Sequence, residues 1–283
     1  VGTLRGSSPL AASGDLLAAT IDYAAVATAV LGPALETRTR ERSHRQQLER
    51  ILEERAFHPV FQPLVDLSSG DVVGYEALTR FHDGVRPDLR FLEAARVGLA
   101  REYEGAAIEA ILRDAAGLPA GRWLSINVSP ALVLQPGWLA GLIDGPTRRY
   151  IIELTEHAPI EDYAALRSIL TSLPASVAVA VDDAGAGYAS LRHIYELRPR
   201  FVKLDMALVR DIHTDAVRQA LVAGLVHFAE DTGSRLIAEG IEQEHEASVM
   251  RRLNVQLGQG FLYGLPAEVE AFTEASTASG SAA

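Results

Sequence analysis

Residues 177–205 open as Val177-Ala178-Val179-Ala180-Val181-Asp182-Asp183-Ala184-Gly185-Ala186-Gly187-Tyr188-Ala189-Ser190-Leu191 and close on Phe201-Val202-Lys203-Leu204-Asp205. The valine-rich run reads as a buried strand. It stops at two acids, turns through Gly185 and Gly187, continues as a helix-like segment and returns as a second apolar strand carrying Lys203. Adjacent carboxylates repel each other unless a cation lies between them or both face water. For an isolated Asp-Asp pair the solvated loop is the simpler reading, and the rest of the chain decides against it. The Gly185-Ala186-Gly187 turn also approaches a dinucleotide fingerprint. That reading fails because Ser190 holds the third glycine position and two acids precede the turn, where they would repel a pyrophosphate.

The same alternation extends outward in both directions. Upstream, residues 58–67 and 72–79 read as two strands joined by the tight turn Ser68-Ser69-Gly70. Helical patterns at 88–100 and 101–116 precede a strand at 123–128. A helix at 131–142 precedes a strand at 150–154, and a helix at 160–172 precedes the valine strand. Downstream, 188–196 leads to a strand at 201–204, 215–231 to 235–238, and 243–252 to 255–257. Strands alternating with helices imply a parallel sheet. Eight of them imply an α/β fold, a modified (β/α)8 TIM barrel with an antiparallel first strand.

The flanks differ in character. Residues 1–14 are rich in Gly, Ser and Ala and read as disordered, as does the tail 273–283. Residues 15–56 form a helical connector or dimerisation segment, and 57–272 the barrel. The apolar stretch 15–35 is followed by Arg38, Arg40, Arg42 and Arg45, which raises a membrane span. Asp22, Gly32-Pro33 and the many alanines argue against a span, and a helix pairing with a second copy or with an upstream domain is the expectation. A start at Val1 fits a fragment or processed chain. With no cysteine among 283 residues, disulfides and thiolate metal sites are excluded. A net charge of −11 argues against binding a nucleic acid polymer. A small phosphorylated ligand remains compatible if metal ions reverse the local field.

The polar residues fall in a pattern. Glu76, Asn127, Glu153, Asp182 with Asp183, Lys203 and Glu239 each stand at or just beyond the end of an apolar strand. In a barrel these ends converge on one face, where active sites are built. So many carboxylates cannot all stay ionised there without cations. Hard oxygen donors without cysteine, and without histidine at metal-ligand spacing, suit Mg²⁺ or Mn²⁺. Asp182 is the acid placed to bridge two ions ~3.5–4 Å apart.

The run Tyr75-Glu76-Ala77-Leu78-Thr79-Arg80 resembles the signature of EAL-domain cyclic di-GMP phosphodiesterases. Phe61-Gln62-Pro63, Asn127-Val128-Ser129-Pro130, Glu153-Leu154-Thr155-Glu156, Asp182-Asp183, Lys203-Leu204-Asp205, Ala238-Glu239-Gly240-Ile241-Glu242 and Gly258-Gln259-Gly260-Phe261 follow in the family's order. The resemblance covers residues 57 to about 268. It implies a metal-dependent, cyclic-guanylate-specific phosphodiesterase that hydrolyses cyclic di-GMP to linear pGpG with two Mg²⁺ or Mn²⁺ ions. By the same resemblance Glu76, Asn127, Glu153 and Asp182 hold one ion, and Asp182, Asp183 and Glu239 the other. Lys203 and Glu239 are the catalytic pair. Gln62, Leu78, Arg80, Glu242 and Gln259 line the substrate, and Glu156 steadies the loop after the Asp-Asp strand. The resemblance further implies a cytoplasmic homodimer with an upstream sensory domain and no membrane span in this segment.

One stretch departs from the family form, Asp-Asp-Phe-Gly-Thr-Gly-Tyr-Ser-Ser-Leu. Ala184, Ala186 and Ala189 remove a ring and two hydroxyls, which weakens loop anchoring and leaves Glu156 without its loop partner. The alternatives to an enzyme are therefore a cyclic di-GMP receptor with little or no turnover and, more distantly, an interaction scaffold built on residues 15–55.

Overall fold

The long pair β1 (Phe57–Asp66) and β2 (Val72–Phe81) forms an antiparallel hairpin from Phe57↔Phe81 to Val65↔Val72, with a register shift at Leu64/Val65. The structure is a computed structural model that describes residues 38–135, 137, 138, 148–154, 160, 162–184 and 188–273. From β2 onward every pairing is parallel: β3 (Trp123–Val128), β4 (Arg149–Leu154), β5 (Val177–Ala184), β6 (Phe201–Leu204), β7 (Arg235–Ala238) and β8 (Leu257–Gly258). β8 returns to β1 antiparallel and closes the barrel. The expected modified TIM barrel, with its reversed first strand, is the observed fold.

The helices follow the sequence signals closely. They are α1 (38–53), α2 (Pro87–Arg96), α3 (Ala100–Asp114), α4 (Pro130–Val133), α5 (Tyr163–Thr171), α6 (Tyr188–Leu197), α7 (Met206–Val209), α8 (Ala216–Thr232) and α9 (Glu244–Arg252). Pro87 opens α2 at a position where its missing N–H costs nothing. Ser129, Asp162, Asp205 and Asp215 each accept a backbone N–H from the first turn of the helix that follows. α8 ends at Gly233, whose φ of 75° is the left-handed closure that glycine adopts without strain.

Three elements differ from expectation. The helix expected over 131–142 appears as the four-residue α4, and residues 139–147 lie outside the described part. β8 is shorter and later than 255–257, since Val255 packs into the core ahead of the strand. β2 runs to Phe81, slightly past the expected 72–79, because β1 keeps pairing with it beyond the rim of the parallel strands, and Glu76 does not stand at its end. Glu76 is thus mid-strand.

Strand alternation sorts the core into two shells. Outward-facing Tyr75, Leu124, Ile126, Ile152, Val179, Val202, Leu236 and their neighbours pack under the helices. Inward-facing Leu64, Ile151, Ala178, Ala180, Phe201, Ile237 and Leu257 fill the barrel floor, with Trp123 edge-on to Phe201 at 5.9 Å. α1 also packs on the barrel: Leu48 is fully buried with Phe57, Phe81, Ala94, Leu99 and Tyr103, and the Tyr103 hydroxyl donates to the Leu48 carbonyl at 2.8 Å. Residues 1–37 and 274–283, including the apolar stretch 15–35, lie outside the described part. No helix among the described residues is long and apolar enough to cross a membrane.

Candidate active site

One inward step above the apolar floor, the same face of the strands turns polar. Ile151 gives way to Glu153, Phe201 to Lys203, Ile237 to Glu239 and Leu257 to Gln259. Strand pairing fixes their heights, with Gln62 opposite Glu76, Glu76 opposite Ser125, and Asn127 opposite Glu153. β5 makes one adjustment. Between Val181↔Val202 and Ala184↔Leu204, two residues of β5 oppose Lys203 alone, so Asp182-Asp183 forms a bulge.

Lys203 is the hub. Its Nζ lies 2.6 Å from Glu239 Oε1, 2.8 Å from Glu153 Oε2, 3.4 Å from Glu76 Oε1 and 3.6 Å from Asp182 Oδ1. Asn127 Nδ2 donates to Glu76 Oε1 at 3.1 Å, and Gln259 Nε2 donates to Glu76 Oε2. Ser125 Oγ donates to Glu153 Oε1 at 2.5 Å. One ammonium therefore faces four carboxylates, of which Glu76 and Glu153 are buried while Asp182 and Glu239 remain partly exposed.

The protonation equilibria follow from that imbalance. Desolvation alone would lower Lys203, but Glu153, Glu239, Glu76 and Asp182 together hold it well above the ordinary lysine range. Desolvation and then the charge of Glu76 push Glu153 well up, with Lys203 only partly opposing them. Desolvation likewise pushes Glu239 up to about 8, against Lys203. Glu76 faces the same desolvation, yet Lys203, Gln259 and Asn127 hold it below the usual glutamate value. Four acids around one cation form a set of hard oxygen donors with surplus negative charge, and this fits divalent ions of the Mg²⁺ or Mn²⁺ type.

The supporting residues are as informative as the ring. After β7, Gly240 turns with φ 66°, and a Cβ there would lie 2.7 Å from the Met206 Cβ. That close crossing places Glu239 beside Lys203 across the two loops. Glu246 receives the backbone N–H groups of Glu242, Gln243 and Asp211 at 2.9–3.0 Å, tying the loop after β7 to the one after β6. Burial works against its ionisation, but these donors hold its carboxyl below the usual range. Glu104 of α3 accepts from the backbone N–H and hydroxyl of Ser129, fixing the turn just beyond Asn127.

Of the sequence-predicted residues, Glu76, Asn127, Glu153, Asp182, Lys203, Glu239 and Gln259 come together. Gln62 is buried on the neighbouring strand and donates to the Gly264 carbonyl at 3.2 Å. Leu78 and Arg80 lie farther along β2, Arg80 donating to the Thr79 carbonyl. Glu242 is exposed and paired with Arg210 at 2.5 Å. Asp183 lies in the bulge, its side chain outside the described part, as are Glu156 and the turn 185–187. Ser125 was legible and missed: it stands two residues before Asn127 on one strand, and so on the same face. Glu104 carried no local signal, and Glu246 showed only its place three residues after Gln243 at the start of α9, which announces the helix and not the loop tether.

A family model described as the EAL domain matches residues 45–266. The chain belongs to the EAL domain family. Among curated relatives, the Escherichia coli cyclic di-GMP phosphodiesterase PdeL is 28% identical over 230 residues, covering 76% of this chain and 64% of PdeL. An uncharacterized Mycobacterium tuberculosis protein is 29% identical over 266 residues, covering 88% of this chain. The chain spans 42% of that protein's length. Among solved structures, the manganese and cyclic di-GMP complex of Klebsiella pneumoniae BlrP1 superposes with a TM-score of 0.66 at 32% identity, covering 76% of this chain and 56% of that one. The MucR phosphodiesterase with cyclic di-GMP gives 0.70 at 26% identity, covering 81% and 99%.

Proposed function

We propose that this chain hydrolyses cyclic di-GMP to linear pGpG at the Lys203 ring. The observation that carries this reading is the convergence of Glu76, Glu153, Asp182 and Glu239 on one ammonium, with Asn127 donating to Glu76. It is supported by membership of a family whose named relatives include cyclic di-GMP phosphodiesterases. Glu76, Asn127, Glu153 and Asp182 would hold one divalent ion, and Asp182, Asp183 and Glu239 the second. When bound, such ions make water nucleophilic near neutral pH and stabilise charge on the phosphate.

The chain's own groups do the rest. Against desolvation, Glu76 is kept ionised by Lys203 first and by Gln259 and Asn127 after it, so it presents charge without needing a proton partner. Lys203, locked between Glu153 and Glu239, keeps its proton throughout and orients the attacking water by hydrogen bonding. Water adds to one phosphorus and the bond to the sugar 3′ oxygen breaks. That oxygen takes up the proton, and the 5′ phosphate stays on the product. Arg80 suits a substrate phosphate oxygen. Gln62, Leu78, Glu242 and Gln259 are assigned to the rest of the substrate. A homodimer in the cytoplasm, joined to an upstream sensory domain, completes the proposal.

Chromatography of cyclic di-GMP incubated with purified protein tests it, with Mg²⁺, Mn²⁺ or chelator, and with Asp182→Ala as control. The expected result is metal-dependent pGpG, absent in the variant. Tight calorimetric binding with intact nucleotide would overturn hydrolysis in favour of a receptor and implicate Ala184, Ala186 and Ala189.

A further inference from the structure

Beyond the carboxylate ring, the loops after β6 and β7 bring together a second, chemically different set of ligands. Asp211, His213 and His245 each offer one ligand atom, and these atoms lie within 4.8 Å of one another. His213 belongs to the 3-10 turn Ile212–Thr214, and His245 to the first turn of α9. Their rings approach to 3.7 Å between centroids at 59°.

Two of the three groups lack polar partners among the described residues. The other acids nearby are engaged: Glu242 with Arg210, Glu244 with Arg251, and Glu246 with three backbone N–H groups. Among the described residues, no hydrogen bond or ion pair engages the Asp211 carboxylate. His245 Nε2 is buried and has no hydrogen-bond partner among the described residues. An orphaned ring nitrogen beside a second imidazole and an uncommitted carboxylate is what a metal would satisfy. The backbone beneath is held in place. Asp211 adopts φ 56°, ψ 19°, and its N–H is fixed by Glu246 at 3.0 Å.

We propose that Asp211, His213 and His245 form a second metal site, selective for a late first-row divalent cation, Zn²⁺ foremost. Two imidazoles and a carboxylate leave a fourth position for water. This donor set suits Zn²⁺ and is poorly matched to Mg²⁺, which prefers oxygen ligands. Tetrahedral coordination at ~2.0–2.1 Å places ligand atoms roughly 3.3 Å apart. Modest rotation of the exposed Asp211 and His213 side chains closes the present spacing to that value. An ion here would clip the loop that follows Lys203 to the helix that follows Glu239. It would add a metal link to the tether that Glu246 already makes between those segments. The site draws on no residue assigned to the phosphodiester chemistry, so it stands or falls separately from that reading.

Titration of tag-free protein with Co²⁺ in millimolar Mg²⁺ tests the site, because tetrahedral imidazole-ligated Co²⁺ absorbs strongly in the visible and six-coordinate oxygen-ligated Co²⁺ does not. The expected result is saturable strong bands that Zn²⁺ displaces and that persist in Asp182→Ala. Affinity should fall in His213→Ala and in His245→Asn by more than the roughly 10–100-fold that an outer-shell loss costs. Both variants should retain wild-type circular dichroism, since His213 is exposed and His245→Asn keeps a polar group at the helix start. No strong bands, or bands lost in Asp182→Ala but kept in the two histidine variants, would overturn the site and leave the imidazoles as a simple ring contact.

Discussion

The barrel interior holds two layers built by the same strands in the same alternation, one apolar and one charged. The floor of Leu64, Ile151, Ala178, Ala180, Phe201, Ile237 and Leu257 is sealed and stabilises the fold. The ring above it, one inward residue higher, gathers four carboxylates on one buried ammonium. By itself that second layer is a burden on folding, because buried charge is costly unless fully compensated. The difference teaches that the strands are specified for two separate purposes along a single face. Stability is concentrated below, and reactivity is stacked directly on it.

Substitutions at adjacent heights of β6 give the sharpest contrast. Lys203→Met should lower turnover by on the order of 10³-fold, about 4 kcal/mol of transition-state stabilisation. In chelator it should also destabilise the fold by about 3–5 kcal/mol, since it strands buried acids, and saturating Mg²⁺ should restore much of that. Turnover assays with urea melts, with and without Mg²⁺, check this; unchanged melts in chelator would break the comparison. Two residues lower, Phe201→Ala should cost about 3–5 kcal/mol in the same melts. Turnover per folded molecule should stay near wild type, and a selective loss of turnover would mean the layers are not separable.

A smaller effect is expected with pH. Glu239 is raised to about 8 and Glu153 is raised as well, so the folded protein binds protons that the unfolded chain has released. Stability of the metal-free protein should therefore be full below the ordinary glutamate range and fall as pH rises toward 8. Thermal melts in chelator across that window should slope downward, and Mg²⁺ should flatten them. Glu76 is lowered, so its contribution is lost instead on the acid side. The least effect is expected from Ser125→Ala, which removes one donor to Glu153: metal affinity should weaken by roughly 10-fold, measured calorimetrically, with little change in melting.

The ring was legible because each member sits in a local motif beside an apolar run, and strand alternation carries that pattern into space. Glu76 was misplaced within its strand because the continuation of β2 depends on β1, a pairing that the run around Glu76 does not announce. The residues that hold the loops were invisible for a related reason. Glu246 meets Asp211, Glu104 meets Ser129, and His213 meets His245 only after distant segments have been brought together. Nothing in the spacing of those residues encodes a contact. Conversely, α1 was readable as a helix, but its seat against α2 and α3 depends on Leu48 finding a pocket lined by Phe81 and Tyr103.

The closing seam between β1 and β8 has a consequence for how the protein matures. Only Val65↔Gly258 and Asp66↔Leu257 join these strands, which come from opposite ends of the barrel sequence. Together with the neighbouring Phe61↔Ala267 bridge, this junction joins segments from opposite ends of the barrel, so it forms late in folding. The bond from Gln259 to Glu76 spans the same seam. A nascent or partly opened chain therefore lacks an intact ring, and competence to act arrives together with closure, as a built-in check that the whole circle has been made.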